Sequence, residues 1–454
     1  MAVDLESVAR RAAEFGGEEA VASVSLRRAL VVECGPDGAL RPPRRTDELL
    51  VRVLVRDGGG RLGVAVGGGV DDASLALLAE RARAQAVGGH LDLRALPDPE
   101  SGVEHEGFDE ATAALDPAQA SATARAAAAS IQFALGRGRS ATWRGEHVEL
   151  AVARSGGGLV RDRRTAAQLC ARATDDDGLL TGYAESAASA GGFLDAVALG
   201  ASASPALAPI ERHRRPLVLR GDDHAVVVEP AALAPLLEAF ARTTCTGRAH
   251  ATGTSPYTGR LGSYVAPPWI TLLDSPRYLH TLGRAIDVEG APAQMVPLIE
   301  GGVAAGVLHD VASAAEAGVG STGHATDLSG APLGPIARNL VLRESAEPVT
   351  ALELAGRSEV PVVVVAVLDE VVTAGPVSTR FRALGRGARL VDGGAVVALL
   401  GDVVVTGDLA GLFEDVEELG GRPQLVARLR RLPEHTTATW CPAVRGRGLD
   451  VVVA

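Results

Sequence analysis

Residues 286–340 constrain this chain more than any other stretch, because their turn residues leave few ways to fold. An acidic-glycine turn (Asp287, Glu289, Gly290) leads into an apolar segment. Gly301-Gly302 then reverses the chain into a second one, so residues 295–309 read as a hairpin. A short alanine-rich helix is expected over 310–317. Ser321-Thr322-Gly323-His324-Ala325 follows, and a Gly/Pro loop closes on Ala337-Arg338-Asn339-Leu340. Asn339 is the only asparagine in a chain whose 44 basic residues are all arginine. A coding bias that strong tends to remove dispensable asparagines, which singles Asn339 out.

The flanks read as an α+β protein. Leu5, Val8, Ala12 and Phe15 have helical spacing and end at Gly16-Gly17. Strands are expected at 20–25, 29–34, 49–55 and 61–66, the last two joined by Asp57-Gly58-Gly59-Gly60. A helix capped by Asp71-Asp72 runs to about residue 86. A Pro-containing link (96–117) leads to an alanine-rich helix, 118–135, and to strands at 140–143, 147–153 and 166–173. The pattern predicts helices packed on a mostly antiparallel sheet. Residues 199–216, small, Pro-rich and then basic, look like a linker. The expected division is therefore a domain at 1–198 and a β-rich domain at 217–454. In the latter, strands are expected at 217–219, 225–228, 269–273, 362–368, 389–391, 395–400, 403–406 and 449–453. Helices are expected at 230–243, 310–317 and 408–419, with Asp408 as N-cap of the last. Aromatics make up only 3% of the chain, so Val, Ala and Leu must fill the cores.

Several functions are excluded or disfavoured. A net charge of −12 leaves no basic domain for nucleic acid. The longest apolar runs, such as 362–368, are strand-length and cannot span a membrane. Cys34, Cys170, Cys245 and Cys441 are far apart and form no disulfide framework or zinc-finger spacing, which fits a reduced cytoplasm. Arginine pairs such as Arg27-Arg28 and Arg163-Arg164 read as solvated faces. GVGSTG matches GxGxxG but follows a helix rather than a strand, so it lacks the dinucleotide context. His105-Glu106 opens like a zinc helix, yet Asp109 stands where the second histidine belongs. The remaining histidines, His213 and His435 included, have no pairwise metal spacing. Cys441 reads as a structural cysteine. By motif alone no active site is demonstrable.

The opening stretch is similar to the TldD/PmbA, or modulator-of-gyrase, family. The residues carrying the resemblance are Asp287-Val288-Glu289-Gly290, Leu298-Ile299-Glu300-Gly301-Gly302, Ser321 to Ala325, and the segment from Pro335 to Leu340. Residues 403–420 and 155–165 extend it, so it covers nearly the whole chain. The segment after Pro361 lacks glycine-rich features expected of the family. The resemblance implies the family's fold and one of two subunit types. TldD-like chains carry HExxxH on a helix, whose histidines and a C-terminal cysteine bind zinc while the glutamate activates water to cut peptides. TldE/PmbA-like chains lack the motif and pair with a TldD-like subunit. Here the three positions hold Glu229, Pro230 and Ala234. The resemblance therefore implies a non-catalytic subunit, with no cofactor of its own and zinc in a heterodimeric partner. The complex would be cytoplasmic and would act on a peptide substrate, with natural-product maturation as one setting. His324, Arg338 and Asn339 are candidate peptide or interface contacts. Two rivals stand: an enzyme with a site rebuilt from His224, His324 or Cys441, and a regulatory binding protein without a peptidase partner.

Overall fold

One helix is apolar on every side, and the second half of the chain is built around it. In the computed structural model this helix runs from Pro230 to Thr244, and every residue in it except Glu238 and Arg242 is buried. A helix without a polar face needs cover all round, and two sheets supply it. The structure describes residues 3–86, 96–132, 138–204, 217–219, 224–326, 334–369, 371–375, 378–429 and 436–453.

The first half contains α1 (Leu5–Gly16), β1 (Ala20–Cys34), β2 (Arg44–Arg56), β3 (Leu62–Gly67), α2 (Asp72–Ala86), α3 (Glu110–Ala113), α4 (Pro117–Ala129), β4 (Gly138–Arg154), β5 (Leu159–Thr174), β6 (Leu180–Ala188) and α5 (Ala196–Ser202). Its strands form one antiparallel sheet in the order β3-β2-β1-β4-β5-β6. Alternate residues of β1 face the helices. Ala20, Ala22 and Val24 pack under α1 and α2, and Leu30, Val32 and Cys34 pack under α4. The opposite face, through Val21, Leu54, Leu150 and Val152, packs on Ala285 and Ile286 of the second half. This sheet is thus buried on both sides.

The second half contains β7 (Leu217–Leu219), β8 (Ala225–Val228), α6 (Pro230–Thr244), α7 (Gly247–Ala251), β9 (Leu272–Asp274), β10 (Val296–Glu300), β11 (Val303–Ala304), α8 (Val311–Ala317), β12 (Asn339–Leu342), α9 (Ala351–Gly356), β13 (Val362–Val365), β14 (Val367–Leu368), β15 (Val372–Thr373), β16 (Arg380–Asp392), β17 (Ala395–Asp408), β18 (Val416–Leu419), β19 (Gln424–Arg428), β20 (Thr437–Cys441), β21 (Val444–Gly446) and β22 (Asp450–Val453). One sheet runs β11-β10-β9-β12-β20-β19. The other runs β18-β21-β8-β13-β16-β17-β22-β7, with β14 and β15 also on β16. The inner faces of both sheets meet α6 in one core that includes Val228, Leu236, Phe240, Leu298, Leu340, Val365, Val405 and Cys441.

The hairpin expected at 295–309 is present, with Gly301 and Gly302 both at positive φ between the paired residues Glu300 and Val303. That is the backbone a two-residue turn of this twist demands. A side chain at Gly302 would also strike the Ala266 carbonyl, 2.4 Å away.

Three expectations are corrected. Strand pieces predicted separately, such as 20–25 and 29–34 or 395–400 and 403–406, are single long strands. The helix expected at 408–419 does not form. Asp408 caps only a turn, its carboxylate accepting from the Ala410 N–H, and Val416–Leu419 pairs with β21 instead. Arg27 and Arg164, expected on solvated faces, are 7% and 6% exposed. Arg27 donates through Nε to Glu146 at 2.8 Å. Of the expected linker, residues 199–202 belong to α5, and 205–216, with His213, lie outside the described residues, as does His435.

Candidate functional site

Two places gather the polar residues singled out by sequence. The first is the start of α6. Strand β8 delivers the chain to Glu229, the N-cap residue, and Pro230 takes the first helical position, where its missing N–H is no loss. Glu229 is ion-paired with Arg389 of β16. Burial raises the Glu229 pKa, against the pull of Arg389. Ala234 is fully buried one turn on. Cys441, at the end of β20, lies with its sulfur 3.7 Å from the Pro230 carbonyl oxygen, and burial pushes its thiol far up. A thiol held protonated in this way is a poor nucleophile.

Glu229, Pro230 and Arg389 border a cleft of about 280 Å³ between β6 of the first sheet and the N-terminus of α6. Tyr183, Glu185, Glu229, Arg389, Arg422 and Gln424 are among the residues in its walls. Tyr183 donates to Glu185 Oε2 at 2.5 Å, and the Cys170 thiol approaches the same oxygen at 3.5 Å. The other oxygen, Oε1, is buried with no hydrogen-bond partner. Burial raises the pKa of Glu185 and lifts the Cys170 thiol to about 12. The cleft is thus lined by carboxyl groups, Glu185 and Glu229, and by the guanidinium groups of Arg389 and Arg422, side chains of both charges. Sequence reading missed Tyr183, Glu185 and Arg389. β6 (LTGYAESAA) has too few apolar residues to register as a strand, and only its position opposite α6 gives Glu185 meaning.

A zinc ion is what the family resemblance would put at this helix, and the residues present do not fit one. Proline and alanine offer no donor, Glu229 is engaged by Arg389, and Cys441 is a buried thiol. Among the described residues no three His, Cys, Asp or Glu side chains are grouped so as to hold a metal.

The second place is a buried hub around Asp274, at the end of β9. Its Oδ2 accepts from the backbone N–H groups of Arg338 and Asn339, at 2.6 and 2.9 Å. Oδ1 lies 3.1 Å from His324 Nε2, out of hydrogen-bond alignment, and 3.8 Å from Arg284 Nη2. Burial works against the Asp274 charge, but His324, Arg284 and the Asn339 N–H outweigh it and hold the carboxyl at about 2. Burial pushes the His324 pKa below its ordinary value, against the pull of Asp274. Its Nδ1 is 2.9 Å from the Thr322 hydroxyl. Asp287 Oδ1 accepts from the Glu289 and Ala291 N–H groups, and Oδ2 from Ala325 N–H. The acidic-glycine turn and the Ser321–Ala325 segment are thus knotted together. Glu289 crosses to Arg52 of the first sheet at 2.9 Å.

The structure therefore places His324, Arg338 and Asn339 in the interior, at 0, 3 and 2% exposure, rather than on the surface of the chain where a peptide or partner would touch them. His224 is also buried, its Nε2 3.2 Å from the Leu449 carbonyl oxygen. His105 is 2.8 Å from Asp162, whose other oxygen accepts from the Ala285 N–H of the second half. Gly318 of GVGSTG ends α8 in the left-handed conformation and opens no second helix.

Comparison with known proteins matches this arrangement to one family. The sequence profile of the PmbA/TldA metallopeptidase C-terminal domain matches residues 221–452, more than half the chain. Comparison with curated proteins gave no match. Among solved structures, TldE from Thermococcus kodakarensis is similar over 99% of this chain and 100% of its own, at 17% identity and a TM-score of 0.76. A proposed modulator of a DNA gyrase from Thermotoga maritima is similar over 98% of this chain and 99% of its own, at 19% identity and a TM-score of 0.76. A further proposed gyrase modulator, from Bacteroides thetaiotaomicron, matches end to end at 17% identity and a TM-score of 0.73. At such identities these structures speak for the fold, and the profile speaks for descent: the chain belongs to the TldD/PmbA family of metallopeptidases.

Proposed function

We propose that this chain is the non-catalytic subunit of a heteromeric TldD/TldE-type zinc peptidase. Zinc, the catalytic glutamate and the hydrolytic water come from an HExxxH-bearing partner subunit. The observation that carries this reading is the start of α6, where Glu229, Pro230 and Ala234 are respectively ion-paired, built into the helix cap and buried in the core. Regaining a metal site there would require three substitutions and release of the Glu229–Arg389 pair. The cleft beside it supports a part in holding peptide. β6 ends its sheet and forms one wall, so an extended peptide has an edge to follow and side chains of both charges to meet.

The test is co-expression with an HExxxH-bearing homologue, followed by measurement of zinc content and peptide cleavage for each chain alone and for the mixture. Cleavage should appear only with the partner present and vanish when the partner's motif glutamate is replaced. Zinc or cleavage in this chain by itself would overturn the proposal. Failure of the two chains to associate would favour the regulatory reading.

A further inference from the structure

Behind the Asp274 hub, where the first sheet meets the second half, lies a cavity of about 20 Å³. That is room for roughly one water-sized particle. Glu146 and Arg164 reach it from the first sheet, and Arg284, Arg338 and Asn339 from the second half. The three arginines are 6, 2 and 3% exposed. Arg284 Nη1 donates to the Gly323 carbonyl at 2.5 Å, but its Nε and Nη2 have no hydrogen-bond partner. The nearest carboxylate oxygen recorded for Nη2, on Asp274, is 3.8 Å off. Asn339 Nδ2 is likewise buried without a partner. Glu146 accepts from Arg27 on one oxygen and from the Thr436 hydroxyl on the other.

Every unused group on Arg284 and Asn339 is a donor. A buried donor left unmade typically costs about 1–3 kcal/mol, and more when charged. A water here would have to place its two hydrogens on Glu146 or on the unpartnered Asp274 Oδ1. An anion brings only acceptor capacity, together with the charge that adjacent guanidinium groups want. The arginines sense one another: burial first, then Arg338, brings the Arg284 pKa down to about 10.

We propose that this cavity binds a single small monovalent anion, chloride, held by Arg284 and Asn339 and facing Arg164, so that it cross-links the two halves of the chain. A tetrahedral oxyanion is too large for the space. The proposal is independent of the peptidase reading.

The purified full chain is to be melted in mixtures of sodium chloride and sodium gluconate at fixed ionic strength. Above its dissociation constant each tenfold rise in chloride should raise Tm by about 1–2 °C. Crystals grown in bromide should show an anomalous peak in contact with Arg284 and Asn339. Asn339→Asp, which supplies its own negative charge, should abolish the chloride dependence. An identical Tm in chloride and gluconate, or no bromide peak in the cavity, would overturn the proposal. So would an undiminished chloride response in the variant. The bromide result on the unaltered chain decides the matter if that variant does not fold.

Discussion

Asp274 is the residue on which the hub depends. Its folded pKa of about 2 lies below the ordinary 3.8, so its contribution to stability is present above about pH 4 and is lost as pH falls toward 2. We expect acid to remove about 2 kcal/mol through this one group. Asp274→Asn should erase that part of the pH profile in denaturant titrations between pH 5 and 2. The same change should lower stability at pH 7 by about 3–5 kcal/mol, because it strips a buried charge from its partners. At this scale the sequence was half legible. It argued against a metal set at Glu229, Pro230 and Ala234, because proline and alanine offer no ligand. It could not show that His324, Arg338 and Asn339 face inward. Polar side chains are expected outside, and it is the Asp274 carboxylate, fifty residues upstream of His324 in the chain, that makes their burial tolerable.

Helix α6 is the element with the largest stake in the core. Phe240 is fully buried and meets Phe413 and Tyr257 edge-on, with ring centroids 5.2 and 5.7 Å apart. Phe240→Ala should destabilise the chain by about 3–5 kcal/mol, read from the urea midpoint with an unchanged slope. The helix was legible because proline at its first position and an unbroken apolar run leave little alternative. The 408–419 segment misled for a related reason. Asp408 followed by Leu409, Leu412, Phe413 and Val416 mimics helical spacing, but Gly411 and the pairing of Val416–Leu419 with β21 favour turns and a strand. Tertiary pairing overrode a local pattern. Long strands read as fragments because Arg27-Arg28 interrupts the apolar alternation, and the buried Arg27–Glu146 pair that permits it is a contact across 119 residues.

For the whole molecule, composition suggests a division near residue 200, but it gives no sign of how closely the chain on either side packs together. Val21, Leu54, Leu150 and Val152 cover Ala285 and Ile286, while Arg52–Glu289, Asp162 with the Ala285 N–H, and Gln168 with the Ala427 carbonyl stitch the same boundary. We expect calorimetry to show one cooperative transition for the full chain. Residues 1–198 made alone should self-associate through the uncovered sheet face, as seen by light scattering. Two well-separated transitions would count against this.

The arginines at that boundary have a consequence for how the join behaves in changing surroundings. A buried lysine can shed its proton and go quiet when its counter-charge is lost; a guanidinium has almost no such exit. Arg27, Arg52, Arg164, Arg284 and Arg338 are all less than a tenth exposed, and this chain has no lysine at all. The seam between the halves is thus a polarity that persists through neutral and mildly alkaline pH, with Arg284, at about 10, the first guanidinium to yield. Acid reaches it through the carboxylates, which makes low pH the natural solvent lever for prising the two halves apart.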